Sequence, residues 1–314
     1  MSTRRFDYWG LIGTLGAWAV IGTGAGLLGT RHWVLDLFAH FRLQYLLFLA
    51  PLAIVLAFRR AWISAAIFGG AAVLNLLLLA PAWFPRAPLD LAAPRSLLVL
   101  NVQNQNPDVA ATVELLRRTN PDFVLLMEVN PRWLAGLAEL TNTLPFTLSQ
   151  ARADNHGIAF YSRFPLRRGE VRYPGEGWVP VVDAVCDVGG QSVRILGAHP
   201  LPPWGAEGTR LRNNLLRALP VLVAETNLPT LLAGDLNVTS GSRHFHWLGV
   251  ETGLRDAARG HGLLPNWPSR LPAPLRVRKD HVLASPSIRI GAWSMAEPVG
   301  SDHLPLTVRF HLPP

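Results

Sequence analysis

Cysteine is almost missing from this 314-residue chain. Cys186 stands alone, so no intrachain disulfide and no multi-cysteine zinc site can form. Lysine is as scarce: Lys279 is the single lysine among 29 basic residues, and all the others are arginine. Charge is thin overall, 16% of residues, where an ordinary soluble domain carries about a quarter. No G-x-x-x-x-G-K-S/T and no H-E-x-x-H occurs, which removes P-loop nucleotide binders and zincin-type proteases. A dense basic run of the kind that coats DNA is also missing. From Arg95 onward, 22 basic residues face 18 acidic ones, an excess of only four. That mild excess suits an anionic substrate or a lipid surface. Arginine chosen for solubility is the plainer alternative.

What the chain has in abundance is apolar residues, 49% of the total, and most of the excess lies before Pro85. Residues 9–29 hold no charge. At about 1.5 Å per residue they span a hydrocarbon core of roughly 30 Å. Residues 43–58 form a shorter segment between Arg42 and the pair Arg59–Arg60. Those long side chains are expected to snorkel to an interface. Residues 61–84 are uncharged again and end in Trp83 and Phe84, as membrane–water boundaries favour. Three transmembrane helices are therefore expected within residues 1–84. A signal peptide headed by Arg4 and Arg5 is the lesser reading, because two more apolar segments follow and no small-x-small cleavage site stands out.

Between the first two segments, Trp33, Val34, Leu37, Phe38 and Phe41 fall at helical spacing. They suit an interfacial helix or a plain amphipathic connector. Gly22 and Gly26 form a GxxxG, but in so glycine-rich a segment the spacing carries little weight. Arg4, Arg5, Arg59 and Arg60 fall on one side of a membrane, against Arg31 and Arg42 on the other. The positive-inside rule then keeps the N-terminus cytoplasmic, and three crossings put the following domain outside the cytoplasm. The expected location is a bacterial inner membrane. Pro81, Pro85, Pro88 and Pro94 mark a stiff linker over residues 85–95.

From Ser96 the pattern changes. Apolar runs at residues 96–102, 122–129, 158–164, 181–188, 192–199, 228–237, 280–285 and 304–310 read as strands. Residues 108–119, a segment from Pro131, and residues 207–219 read as helices. The fold class is α/β: a two-sheet α/β sandwich over residues 96–314, preceded by the three-helix transmembrane region.

Several of these strands end in polar residues. The first ends in Asn101, the second in Glu128, a later one in His199, and another in Asp235 and Asn237. Asp280 and His281 open a strand, and Ser301, Asp302 and His303 precede the last. Each alone has a bland reading: a solvated strand end, an Asp-x-Asn turn, a loop histidine. Together they make the set that phosphodiester cleavage needs. Carboxylates bind a hard cation and activate water. Histidine and asparagine stabilise a charged transition state, and a carboxylate behind a histidine holds it protonated.

The ordered series Asn101, Glu128, His199, GDLN (234–237), KDHVLAS (279–285) and SDHLPL (301–306) resembles the endonuclease/exonuclease/phosphatase family, over about residues 96–312. HGIAFYSR (156–163) adds to it, and the three preceding segments resemble a bacterial membrane-bound branch. The resemblance implies Mg²⁺, or Mn²⁺, at Glu128 with Asn101 beside it and Asp302 joining. It implies that Asp235 orients or deprotonates the attacking water and that Asn237 contacts phosphate. His303 would contact phosphate or act as base, with Asp280 holding it, and His199 would flank the scissile group. His156 is a further rim candidate. Two positions depart from the family's usual pattern: Gln103 stands where an Asp is common and Met127 where a Gln is common. The first removes a carboxylate that a second metal would use.

The implied substrate is a phosphodiester, nucleic acid by default. A phospholipid or phosphoinositide-type phosphodiesterase or phosphatase is the alternative, given the adjoining bilayer. A membrane-anchored binding protein without chemistry is disfavoured by retention of Glu128, Asp235, Asn237, Asp280 and His303. Trp204, Trp247 and Trp267 are expected in loops, as lipid or base contacts or as packed residues.

Overall fold

The computed structural model describes residues 8–84 and 94–313. Most of the expected linker, and Arg4 and Arg5, therefore lie outside the described residues. The chain forms two compact units. One comprises residues up to Pro81 with Ser240–Arg243; the other comprises Ala82–Thr239 and His244–Pro314.

The first unit is helical: α1 (Tyr8–Ala25), α2 (Trp33–Phe38), α3 (Arg42–Phe58) and α4 (Trp62–Leu79), with short 3-10 turns before and after α2 and a tight turn between α3 and α4. Three helical stretches are long and apolar enough to cross a membrane: Tyr8–Leu28, Trp33–Phe58 and Trp62–Ala82. The amphipathic connector is thus a short helix continuous with the second stretch. Gly22 and Gly26 both prove to be contact points. A Cβ on Gly22 would lie 2.6 Å from the Tyr45 hydroxyl, and one on Gly26 would lie 2.8 Å from the Ala39 nitrogen. Arg42 departs from expectation. It does not reach outward but is buried, donating to the Thr23 carbonyl at 2.7 Å beside a fully buried Asn75. Asn75 in turn donates to the Thr23 hydroxyl at 2.8 Å. A bare polar group among apolar helices is costly, and Thr23, Asn75 and Arg42 Nη1 offset part of that cost for one another.

The second unit is the expected sandwich. Its elements run β1 (Arg95–Asn101), α5 (Val109–Thr119), β2 (Phe123–Met127), α6 (Pro131–Gly136), β3 (Phe146–Gln150), β4 (Ile158–Ser162), β5 (Leu166–Arg172) and β6 (Val181–Val188). They continue with β7 (Gln191–Ala198), α7 (Gly205–Ala224), β8 (Thr230–Asp235), α8 (Arg243–Thr252), β9 (Arg255–Asp256), β10 (Asp280–Ala284), β11 (Arg289–Met295) and β12 (Leu306–His311). One six-stranded sheet has the order β11-β12-β1-β2-β4-β3, the other β5-β6-β7-β8-β10-β9. In each sheet the two strands joined by a helical crossover, β1–β2 and β7–β8, are parallel, and the other pairs are antiparallel.

The apolar runs lack polar alternation because both faces of each central strand are covered. Leu97 and Val99 of β1 point between the sheets, with Phe123, Phe160, Val182, Ile195 and Val308. Leu98 and Leu100 point the other way, with Trp133 and with Leu115 and Leu116 of α5. The outer face of the second sheet is covered likewise by Leu216 and Leu219 of α7 and Phe245 of α8. Asp108 caps α5 by accepting from the Ala111 N–H at 2.9 Å.

Strands β3, β5, β9 and β11 escape the sequence pattern. Edge strand β5, LRRGEVR, is mostly exposed, and its charges disguise it. Trp247, expected in a loop, lies in α8 and packs partly buried against the outer core. α7 runs five residues beyond the expected Leu219, carrying Pro220 inside it.

Candidate active site

The topology brings the candidate residues to one rim. Asn101 ends β1, Glu128 follows β2, His199 follows β7 and Asp235 ends β8. Antiparallel β10, β12 and β4 begin where those strands end, so Asp280, His303 and His156 arrive at the same edge. Asp280 pairs directly with Asp235 in the β-ladder.

Backbone geometry at the rim is unusual. Glu128, Gln103 and Asn237 have φ values of 63°, 57° and 49°, a region that non-glycine residues rarely occupy. Two glycines explain the motifs around them. A Cβ on Gly157 would fall 1.8 Å from the Val129 carbonyl oxygen, and one on Gly234 (φ 138°) would fall 2.0 Å from that of Ala198. The glycines of HGIAFYSR and GDLN are therefore required by backbone proximity.

Asp235 is the hub. It is 1% exposed, and its Oδ2 accepts from Asn101 Nδ2 at 3.3 Å. His303 Nε2 lies 3.5 Å from the same oxygen, and His199 Nε2 and Lys279 Nζ each lie 3.6 Å away. Oδ1 accepts from the Asn237 backbone N–H at 3.0 Å. Burial alone would raise the Asp235 pKa, but Lys279, His303 and His199 outweigh it and hold the carboxylate well below its usual range. His303 is shifted the other way. Burial pulls it down, yet Asp280 and Asp235 together push it up. Its Nδ1 is 2.7 Å from Asp280 Oδ2, an oxygen that also accepts from the buried Asn266 amide. Ser301 fixes the loop: its hydroxyl donates to the Asn101 carbonyl at 2.6 Å and accepts from the His303 N–H at 3.0 Å.

Glu128 is half-buried beside this cluster. Its Oε1 accepts from Asn101 Nδ2 at 2.9 Å and its Oε2 from the Asn104 N–H at 3.1 Å. Among the described residues no basic side chain pairs with it. Four buried polar atoms at the rim lack a hydrogen-bond partner among the described residues: Asn237 Oδ1, Asp280 Oδ1 and His199 Nδ1 around Asp235, and His156 Nδ1 further out. Asp235, Asp280 and His303 also present ligand-type atoms within 4.8 Å of one another. Because His303 Nδ1 is already bonded to Asp280, that trio reads better as a hydrogen-bonded relay than as a cation cage.

The other candidates sit further out. Asp302 Oδ2 accepts from Trp267 Nε1 at 2.9 Å, and its N–H donates to Gln103 Oε1 at 3.1 Å. His156 lies 5.6 Å from His199, ring to ring, and edge-on to Trp178 at 4.7 Å. Burial, then the charge of His199, lowers its pKa to about 4. His281 is not part of the rim. It is buried behind it, 2.7 Å from the Val238 carbonyl, with burial lowering its pKa to about 3. Two residues of the site do not stand out in the sequence. Asn266 braces Asp280 from a loop, and Lys279 adjoins Asp280 in KDHVLAS without any strand end to mark it.

The chain matches the Endonuclease/Exonuclease/phosphatase family over residues 98–303, and it belongs to that family. Solved structures share the fold at low sequence identity. A D. rerio TDP2 structure, in complex with single-strand DNA product, is 17% identical with a TM-score of 0.59, and the match covers 70% of this chain and 100% of that one. An endonuclease/exonuclease/phosphatase from Bacteroides vulgatus is 15% identical with a TM-score of 0.58 and the same coverage. Sphingomyelinase C from Streptomyces griseocarneus is 17% identical with a TM-score of 0.52, covering 69% of this chain and 99% of that one. No curated protein matches the chain.

Proposed function

We propose that this chain is a membrane-anchored, metal-dependent hydrolase of phosphodiester bonds, nuclease-like in its chemistry. The observation that carries the reading is Asp235, a buried carboxylate held ionised by His303, His199 and Lys279 at the rim where β1, β2, β7 and β8 end. Family members are generally divalent-metal dependent. The residues here fit such an ion. Glu128 is a half-buried carboxylate without a cationic partner among the described residues, and a carboxylate oxygen is the kind of ligand Mg²⁺ prefers. Glu128 would hold the metal with Asn101, and Asp302 would join through the Gln103 loop. A bound cation would neutralise phosphate charge and stabilise the leaving oxygen.

The remaining roles follow from the electrostatics. His303 is biased towards its cation, which favours a charge-stabilising role over that of a base. It suits contact with the phosphate, with Asp280 orienting it. Asp235 is biased towards its anion and suits orientation of the attacking water. Asn237 and His199 each offer an unpartnered buried atom and would flank the scissile group. His156 would line the outer rim.

The three apolar stretches support a multi-pass anchor, and the membrane we assign it to is a bacterial inner membrane. Because Arg42 is buried among helices, Arg31 alone remains as a loop charge on its side, against Arg59 and Arg60 together with Arg4 and Arg5. That sharper bias favours a catalytic domain, about residues 96–314, outside the cytoplasm. The same anchor favours a second reading, a phospholipid phosphodiesterase or phosphatase. Trp204 is 84% exposed and suits a lipid contact.

The test is direct. The full chain in detergent, and its His303→Ala variant, are incubated with Mg²⁺ and plasmid DNA, short single strands or phospholipid vesicles. Cleavage of DNA, lost in the variant and on chelation, is expected. Head-group release without DNA cleavage would move the assignment to lipid hydrolysis, and full activity under chelation would overturn the metal mechanism.

A further inference from the structure

The chain uses arginine at 28 of its 29 basic positions and lysine once, at Lys279. Where it builds buried ion pairs, arginine supplies the fork: Arg194 grips both oxygens of Asp183, each at 2.7 Å. Lys279 does not behave like such a partner. Its Nζ stops 3.6 Å from Asp235 Oδ2, beyond hydrogen-bonding distance, and no other acceptor among the described residues takes its N–H groups. It lies instead over the Trp267 ring, 4.5 Å from the centroid. That ring is fixed by its own bond to Asp302. The side chain is 16% exposed, so the ammonium is sheltered but not sealed. The backbone is pinned on both sides of the residue: the Lys279 N–H donates to Asn266 Oδ1 at 3.1 Å, and its carbonyl accepts from the Leu236 N–H at 3.1 Å.

A flexible ammonium on a rigid backbone, resting on an aromatic wall and making only a long ion pair with Asp235, is arranged to meet an incoming anion. Lys279, His303 and His199 approach one oxygen from separate parts of the rim, and none is within 3.4 Å of it. The charge of Asp280 is taken up by His303 Nδ1. We propose that Lys279 is a substrate-contacting residue: its ammonium grips a non-bridging oxygen of the phosphate group undergoing hydrolysis. The cation takes over charge neutralisation at a site where Gln103 offers no second metal-binding carboxylate. This assignment rests on the phosphoester reading above and adds a residue to it.

Being the only lysine, Lys279 can be read chemically without mutation. The full chain in detergent is treated with an amine-acylating reagent, and modification at Lys279 and at the N-terminal amine is followed by peptide mass spectrometry. Inorganic phosphate is expected to slow acylation of Lys279 several-fold, relative to chloride at equal ionic strength, and to leave the N-terminal amine unaffected. A rate at Lys279 indifferent to phosphate overturns the proposal. This arm needs no turnover, so it answers for Lys279 even if hydrolysis is never observed and the functional reading falls. In the kinetic arm, Lys279→Met is expected to lower kcat/KM for a chromogenic phosphodiester on the order of 100-fold, with Lys279→Arg recovering part of the loss. An unaltered kcat/KM in Lys279→Met would equally overturn it. Should Lys279→Met fail to fold, the arginine variant and the labelling arm still decide.

Discussion

Two buried clusters of charge in the sandwich unit are built on opposite plans. In the first, Arg194 and Asp183 face each other across β6 and β7, both fully buried. Both Asp183 oxygens are bonded, and Arg194 spends its third nitrogen on the Leu222 carbonyl at 2.6 Å. Arg168 and Arg172 close the outer side at 3.2 and 3.3 Å from Asp183. Between β6 and β7 the ladder there runs in unbroken register, and β5 carries a bulge beside Arg168. In the second cluster, around Asp235, three polar atoms have no partner among the described residues, and three neighbouring residues sit at positive φ. The first arrangement is complete without a ligand and the second is not. A satisfied network fixes the fold; an unsatisfied, strained one stores capacity for binding.

Breaking each cluster should therefore be felt in a different assay. The largest effect is expected for Asp235→Ala with His303→Ala. Hydrolysis per folded molecule should fall on the order of 10⁴-fold or more, a loss far larger than the drop in melting temperature that follows because buried Asp280 loses its His303 partner. Initial rates and a thermal melt on the same samples would check it. A double variant that keeps its activity would erase the functional side of the contrast.

Next comes Arg194→Ala, which leaves Asp183 buried with only the two outer arginines. A loss of about 3–5 kcal/mol is expected, lowering Tm by about 2–4 °C for each kcal/mol. The rate per folded molecule at low temperature should not change. Replacing both partners by apolar residues, Arg194→Met with Asp183→Leu, should restore much of the stability, because no buried charge is then abandoned. Denaturant titration gives the ordering, and equal losses for the single and double changes would show that the network is not the source of stability.

The two clusters are also unequally legible in the sequence. Asn101, Glu128, His199, Asp235, Asp280 and His303 interrupt apolar runs at strand ends, and their order resembles a known family, so residue order alone points to the rim. Arg194 and Asp183 sit inside apolar strands with nothing to pair them, because the partner lies across a β-ladder whose register the sequence does not announce. Asn266 is hidden for a related reason. It braces Asp280 from a loop 14 residues away, through a contact that exists only after folding. The three apolar stretches are readable from length alone, yet the inward turn of Arg42 is not, since its partners Thr23 and Asn75 come from other helices.

The smallest effect expected is the most specific. In the Asp235 cluster, His303 owes its raised pKa to Asp280 first and Asp235 second, both working against burial. A histidine whose pKa is raised keeps its charge to higher pH than a free imidazole and loses its proton as pH climbs through that raised value. If the imidazolium contacts the phosphate, kcat/KM should be level near neutrality and decline on the alkaline side. Asp280→Asn removes the larger opposing charge and leaves burial, so the pKa drops and the descending limb moves to lower pH. At acid pH the variant should approach the parent rate; above neutrality it should fall behind by about tenfold for each unit of displacement. pH profiles of the two proteins, measured on one chromogenic phosphodiester, make the comparison. A limb that stays where it was would mean that His303 does not act as the cation. A limb that moves upward would mean that Asp280 holds His303 by geometry rather than by charge, and the contrast between the clusters would then rest on shape alone.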